Sequence, residues 1–343
     1  MSRALEGQDS IPVFVANVHG QLAPWEHDFV PKAQAWLMSE NSRPFTLARR
    51  PEDADLIVFF ESNSFKTQRY ISVLQAEPAI AQFPARCFTI NYETGPAGFL
   101  PGLYTSLPAS KYDPLRHRTW SYVFRGNEDI AAKRVCWTRS PRLLFSFRGS
   151  VKSHPIREEL LNISFPRSSR SRLTAVDRWF DHTADERNAF IDELLDSCFC
   201  LCPRGLGVGT IRLFEVMAAG RCPVIISDEW VPNPLIDWSA CSIRVKQADL
   251  KLLPDILSDR EKDSVVLGRN ALCEWEKHFS SKVVLRESFS QIVSLLKSRP
   301  EDHDESRARS MWNTRKFYRQ NGWAIEQRIA RRLKRAFKKV FSR

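Results

Sequence analysis

Arg204, Arg212, Gly205, Gly207, Gly209, Glu215 and Asp228 are the residues of this chain best suited by type and spacing to handle an anionic substrate. Gly205, Gly207 and Gly209 carry no side chain, so a ligand can approach the backbone closely there, and Arg204 and Arg212 bring fixed positive charge to the same stretch. The pattern TIRLFEVMAAG predicts a helix from about Thr210, whose first turn would add unpaired N–H groups and the positive end of the helix dipole. Glu215 lies inside that helix and Asp228 in the polar loop Ser227-Asp228-Glu229-Trp230. Together these residues point to a nucleotide-linked substrate.

The elements that must position them are legible as punctuation. Cys198 to Cys202 is a short apolar run stopped by Pro203, as expected for a strand buried on both faces of a parallel sheet. The helix places Leu213, Phe214 and Met217 toward a core and ends at Gly220, and PVIIS follows as a second buried strand. Ligands of open α/β sheets gather at the carboxyl ends of strands, so the 204–210 and 227–230 loops should share one rim. The plain alternative is an ordinary βαβ unit with capping residues. Three further strands, IPVFVANV, DLIVFF and CFTINY, lead to the polar residues His19, Glu61 and Glu93. With 343 residues the chain suits two α/β domains, divided near Val135 to Pro141: 1–138, 139–300, and a segment 301–343. The Pro- and Gly-rich stretch from Gly95 to Pro108 reads as an irregular loop, and Ser164 to Arg172 as a mobile basic loop.

Three segments resemble the exostosin-like, GT47-like glycosyltransferases: FCLCPRG (Phe199 to Gly205), RLFEVMAAGRCPVIISDEW (Arg212 to Trp230) and LLFSFRGSVKSHPIREELL (Leu143 to Leu161). The resemblance implies a GT-B-like fold of two Rossmann-like domains facing a central cleft, with the acceptor on domain 1–138 and the sugar nucleotide on domain 139–300. It implies displacement at an anomeric carbon by an acceptor hydroxyl, with inversion and a general base, for which Glu93, His19 and Glu61 are candidates in that order. The leaving diphosphate needs its charge stabilised by a metal or by fixed cations. Asp-x-Asp pairs occur only at Asp53/Asp55, before a strand, and at Asp302/Asp304, in a charged linker. The expectation is therefore no metal and no other cofactor, with Arg148, Arg204, Gly205, Arg212 and the helix N-terminus holding the diphosphate. Glu215 would accept the ribose hydroxyls, as its counterpart does in similar enzymes, or pair with Arg212. Asp228 would contact the donor sugar or cap the following turn.

Charge and cysteine usage bound the partners. Of the net charge of +11, residues 301–343 supply +8, from thirteen Lys or Arg against five Asp or Glu. In AIEQRIARRLKRAFKKVFSR, Ile325, Ile329, Leu333, Ala336, Phe337 and Val340 form one helical stripe among basic residues, a pattern suited to an anionic membrane surface and a lipid-linked glycan acceptor. A packed terminal helix is the plain alternative. Nucleic acid is not expected, because no aromatic platform or reader motif accompanies the charge. The eight cysteines form no secreted pattern and read as buried reduced thiols. With neither a cleavable signal nor an apolar run near the ~20 residues of a membrane span, the expected compartment is cytoplasmic, peripheral on the inner membrane surface. The second functional reading is a non-catalytic sugar-nucleotide or glycan-binding protein on the same scaffold.

Overall fold

A computed structural model of the chain describes residues 10–18, 28–61, 70–124, 128–163, 170–177, 183–300, 303–310 and 314. His19 and the stripe from Ile325 to Val340 lie outside the described residues. The chain divides into two compact units, Met1–Ile90 with Ala97–Pro101 and Leu296–Arg343, and Asn91–Pro96 with Gly102–Leu295.

Unit 1 is built on β1 (Ile11–Asn17), β2 (Phe45–Leu47), β3 (Leu56–Glu61) and β4 (Cys87–Asn91), in the order β2-β1-β3-β4. Strand β1 pairs in parallel with both β2 and β3. Every residue of β3 and β4 is buried, which is why LIVFFE and CFTIN read as continuous rather than alternating apolar runs. Ile57, Phe59, Leu74, Ile80, Cys87 and Phe99 share its core.

Unit 2 contains β5 (Gly102–Tyr104) paired in parallel with β6 (His117–Thr119), and a five-stranded sheet. The sheet consists of β7 (Leu143–Gly149), β8 (Ser171–Ala175), β9 (Ser197–Pro203), β10 (Cys222–Ile226) and β11 (Ile243–Arg244), in the order β11-β10-β9-β7-β8. All four neighbouring pairs are parallel. The apolar runs of β7, β9 and β10 therefore form one core with Phe145, Phe147, Phe199, Leu201, Val224 and Ile226 at its centre. Two expectations are corrected. Gly102 to Tyr104 is a strand inside the expected irregular loop, and Ser171 and Arg172 belong to β8 rather than to a mobile loop. Each pairs with a parallel neighbour, and that pairing sets the conformation of runs too short or too polar to be legible.

The helix Ile211–Ala218 starts after Thr210, as the sequence predicts, and Gly220 ends it at φ +66°, in the left-handed region that favours glycine. Leu213 and Met217 are buried, and Phe214 packs edge-on against Phe279 with ring centroids 4.9 Å apart. A second helix, Ala184–Leu195, begins in a capping box, Thr183 Oγ1 accepting from the Glu186 N–H at 3.2 Å and Glu186 Oε2 from the Thr183 N–H at 2.8 Å. All eight cysteines are free; Cys87, Cys200, Cys202, Cys222 and Cys241 are buried. Burial pushes the Cys200 thiol up to about 12, so it packs as a small apolar group. No helix among the described residues is long and apolar enough to cross a membrane.

Candidate functional site

The sheet order fixes where a ligand belongs in unit 2. From β7 the chain moves outward to β8, then returns across β7 to β9 and proceeds to β10 and β11 on the other side. Strand order reverses between β7 and β9, and open parallel sheets bind ligands in the crevice at the carboxyl ends of such a pair. The two strands run in register, Phe145 opposite Phe199 and Ser146 opposite Cys200, so Gly149 and Pro203 finish side by side.

Arg157, on the helix Pro155–Asn162, ties these two strand ends together. Its Nε donates to the Arg204 carbonyl at 2.9 Å, its Nη2 to the Pro203 carbonyl at 3.2 Å, and its Nη1 to the Ser150 carbonyl at 3.1 Å. All three acceptors are neutral carbonyls. Burial, then the neighbouring Arg212 charge, pushes the Arg157 guanidinium down to about 9. A cation destabilised in this way is stabilised by an arriving anion. Arg204 lies beside it, lowered first by burial, with Glu229 and Asp228 pushing back. Sequence reasoning passed over Arg157. The available signal was HPIRE, a proline at the first helical turn with an arginine just behind it, directly after a strand.

The glycine loop is seated by protein rather than left open. A Cβ on Gly209 would lie 1.9 Å from the Thr105 carbonyl oxygen, and one on Gly207 would lie 2.5 Å from that of Thr94. Gly209 N–H donates to Ser106 Oγ at 3.2 Å, and Ser227 Oγ donates to the Val208 carbonyl at 2.8 Å. The close approach read from Gly207 and Gly209 is thus an approach of backbone to backbone. Gly205 differs: a Cβ there would meet only side-chain ends, 3.3 Å from Arg157 Nη2 and 3.9 Å from Ser153 Oγ. The 204–210 and 227–230 loops do share one rim, as expected, since Ile226 pairs opposite Pro203 and the Arg204 N–H donates to the Ile226 carbonyl at 3.0 Å.

The other expected donor residues take varied places. Arg148 turns to Glu193, Nη2 to Oε2 at 2.9 Å and Nε to Oε2 at 3.1 Å, with the glutamate side chain only 2% exposed. Burial raises the Glu193 carboxyl while Arg148 opposes the rise. Arg212 donates to the Arg148 carbonyl and lies over the rings of Phe147 and Phe190, 4.8 and 5.5 Å from their centroids. Glu215 is partly buried and adds to the negative field around Cys202. Asp228 is exposed and accepts the Gln247 N–H at 3.1 Å. Among the candidate bases, Glu61 is buried at the end of β3 in unit 1. Glu93 is buried in unit 2, its N–H bound to Asn91 Oδ1 at 2.9 Å, in the segment whose Thr94 carbonyl faces Gly207. Asp53 is paired with Arg50 at 2.8 Å.

Residues 107–259, which hold the crevice and both rim loops, match the family model described as the exostosin GT47 domain. Over these residues the chain is similar to the exostosin GT47 domain. The resemblance read from the three sequence segments is to this same family. Among curated proteins, the exostosin-1 homolog of Caenorhabditis elegans is 39% identical over 106 residues, covering 30% of this chain and 28% of that protein. Exostosin-1c of Danio rerio is 27% identical over 227 residues, covering 63% of this chain and 30% of its own length. The chain thus spans less than a third of the exostosins it matches. Among solved structures, Anabaena Alr3699/HepE in complex with UDP is similar at 11% identity and a TM-score of 0.41, over 83% of this chain and 99% of that one. WaaG, a glycosyltransferase involved in lipopolysaccharide biosynthesis, is similar at 13% identity and a TM-score of 0.37, over 84% of this chain and 100% of that one.

Proposed function

We propose that this chain transfers a sugar from a nucleotide-sugar donor to a hydroxyl of a glycan acceptor. The observation that carries the reading is the cationic crevice at the β7/β9 strand-order reversal, where Arg157 and Arg204 lie beside a loop anchored through backbone. A nucleoside diphosphate is the leaving group whose charge such fixed cations stabilise without reorganisation. Glu215 is assigned to the ribose and Glu93 to the acceptor proton, and the transfer is read as inverting and independent of metal. Screening the full chain against UDP-, GDP- and CMP-sugars by thermal shift tests this reading, because a ligand bound only by the native state raises its stability by mass action. At least one donor is expected to raise Tm, with the rise unchanged in excess EDTA. A flat response to every donor would remove the donor site, and a shift that EDTA abolishes would remove the arginine-based account. Donor binding without turnover on any glycan would favour the non-catalytic reading.

We further propose a lipid-linked glycan as acceptor and a cytoplasmic, membrane-peripheral location, supported by the basic stripe from Ile325 to Val340. Deleting residues 323–343 is then expected to abolish sedimentation with anionic vesicles at low salt while donor binding persists. Attraction of the full chain should weaken with salt, since charges are screened beyond about 8 Å at physiological ionic strength. Equal sedimentation of both forms would assign the tail to packing.

A further inference from the structure

His154 occupies the N-cap of the helix Pro155–Asn162, a place usually taken by Ser, Thr, Asp or Asn. Its Nδ1 accepts the Ile156 N–H at 3.2 Å. The Nδ1 lone pair is therefore committed to the backbone, and the neutral ring carries its proton on Nε2. Nε2 has no hydrogen-bond partner among the described residues.

The surroundings disfavour the charged ring. Burial lowers its affinity for a proton, followed by the charges of Arg204, from the loop after β9, and Arg157, from its own helix. Lys152 in the same loop donates instead to the Asp177 carbonyl at 3.2 Å. His154 and Arg157 stand three positions apart, on one face of the helix, and Arg157 holds the Arg204 carbonyl at 2.9 Å. An N–H with no partner among the described residues thus lies within the field of two guanidinium groups, on the helix that follows β7.

We propose that His154 donates its Nε2–H to the diphosphate of the sugar nucleotide, as the neutral member of a cradle completed by Arg157 and Arg204. The inference rests on the nucleotide-sugar reading of this site. A neutral donor adds direction to the recognition of phosphate oxygens without adding a third positive charge to a crevice that already raises the energy of two. Protonation would have to occur at Nδ1 and would break the helix cap, so capping and neutrality support each other.

Two substitutions separate the cap from the donor. Serine keeps a short oxygen able to cap Ile156 but has nothing at the position of Nε2, whereas glutamine places an amide N–H near that position and loses the short acceptor. Calorimetric titration of the full chain with whichever of UDP-glucose, UDP-N-acetylglucosamine and GDP-mannose, all diphosphate donors, gives the largest thermal shift reads affinity, and urea unfolding reads stability. His154→Ser is expected to lose roughly tenfold in affinity, as for a hydrogen bond to a charged group, with its unfolding midpoint unchanged. His154→Gln should keep affinity within about threefold and unfold at lower urea, as a lost cap predicts. Wild-type affinity in His154→Ser overturns the proposal and leaves the residue as a cap, as does a parallel loss of affinity and stability in both variants. Failure of the wild-type chain to bind any of the three nucleotides overturns the donor-site reading itself.

Discussion

Gly209→Ala is expected to remove about 3 kcal/mol of stability or more, the upper end for forcing a methyl group into close-packed protein. The new Cβ would stand 1.9 Å from the Thr105 carbonyl oxygen, and neither partner can yield without moving a segment of backbone. Gly205→Ala, four residues earlier in the same loop, is the control. Its methyl would meet the Arg157 guanidinium at 3.3 Å and Ser153 Oγ at 3.9 Å, contacts relieved by a shift of a few tenths of an ångström in a side chain, so the expected change is about 1 kcal/mol or less. Urea midpoints of the two variants and the wild type decide the matter. Equal stabilities would mean that the 105–106 segment does not seat the loop.

The second large effect is expected at Arg148. Replacing it by alanine leaves the Glu193 carboxylate buried and unpaired, a change that typically costs about 3–5 kcal/mol. Because the Arg148 side chain keeps 24% exposure, the lower end of that range is expected. The sign of the pH dependence follows from Glu193. Its folded-state pKa is already raised by burial, and removing Arg148 removes the strongest of the groups that oppose the rise, leaving only the more weakly acting Arg172 and Arg212. A raised carboxyl destabilises the fold above its folded pKa and ceases to do so as pH falls through that value and the group becomes neutral. The deficit of Arg148→Ala should therefore be largest near pH 7 and shrink toward pH 5, and Arg148→Met combined with Glu193→Leu should recover most of it. A pH-independent deficit, or none at all, would show that the pair is not a buried ion pair. Loss of donor affinity in Arg148→Ala with full stability would instead return this arginine to the diphosphate.

The strand–loop–helix–strand core of the site was legible because its signals are local. The run FCLC stops at Pro203, Thr210 opens the helix, and Gly220 closes it with a positive φ, each a short-range consequence of backbone sterics. What was illegible depends on partners distant in sequence. Arg148 reads as a diphosphate ligand until Glu193 is brought under it, and Gly209 looks like a ligand contact until Thr105 is laid across it. Arg157 has no acidic partner in its helix turn, and its acceptors are carbonyls beyond the ends of two strands. Backbone carbonyls carry no residue-type signal, so no pattern of letters could announce that contact.

The seating of the 204–210 loop also bears on what donor binding costs. Fixing the backbone of a flexible residue costs roughly 1–2 kcal/mol in conformational entropy, and glycine loses more than any other residue. In this loop that loss is incurred when the protein folds, because Ser106 and Ser227 already hold Gly209 and Val208 in place. On the donor-site reading proposed above, a nucleotide would meet a preorganised surface, and the interaction energy gained there would go to affinity rather than to ordering the chain.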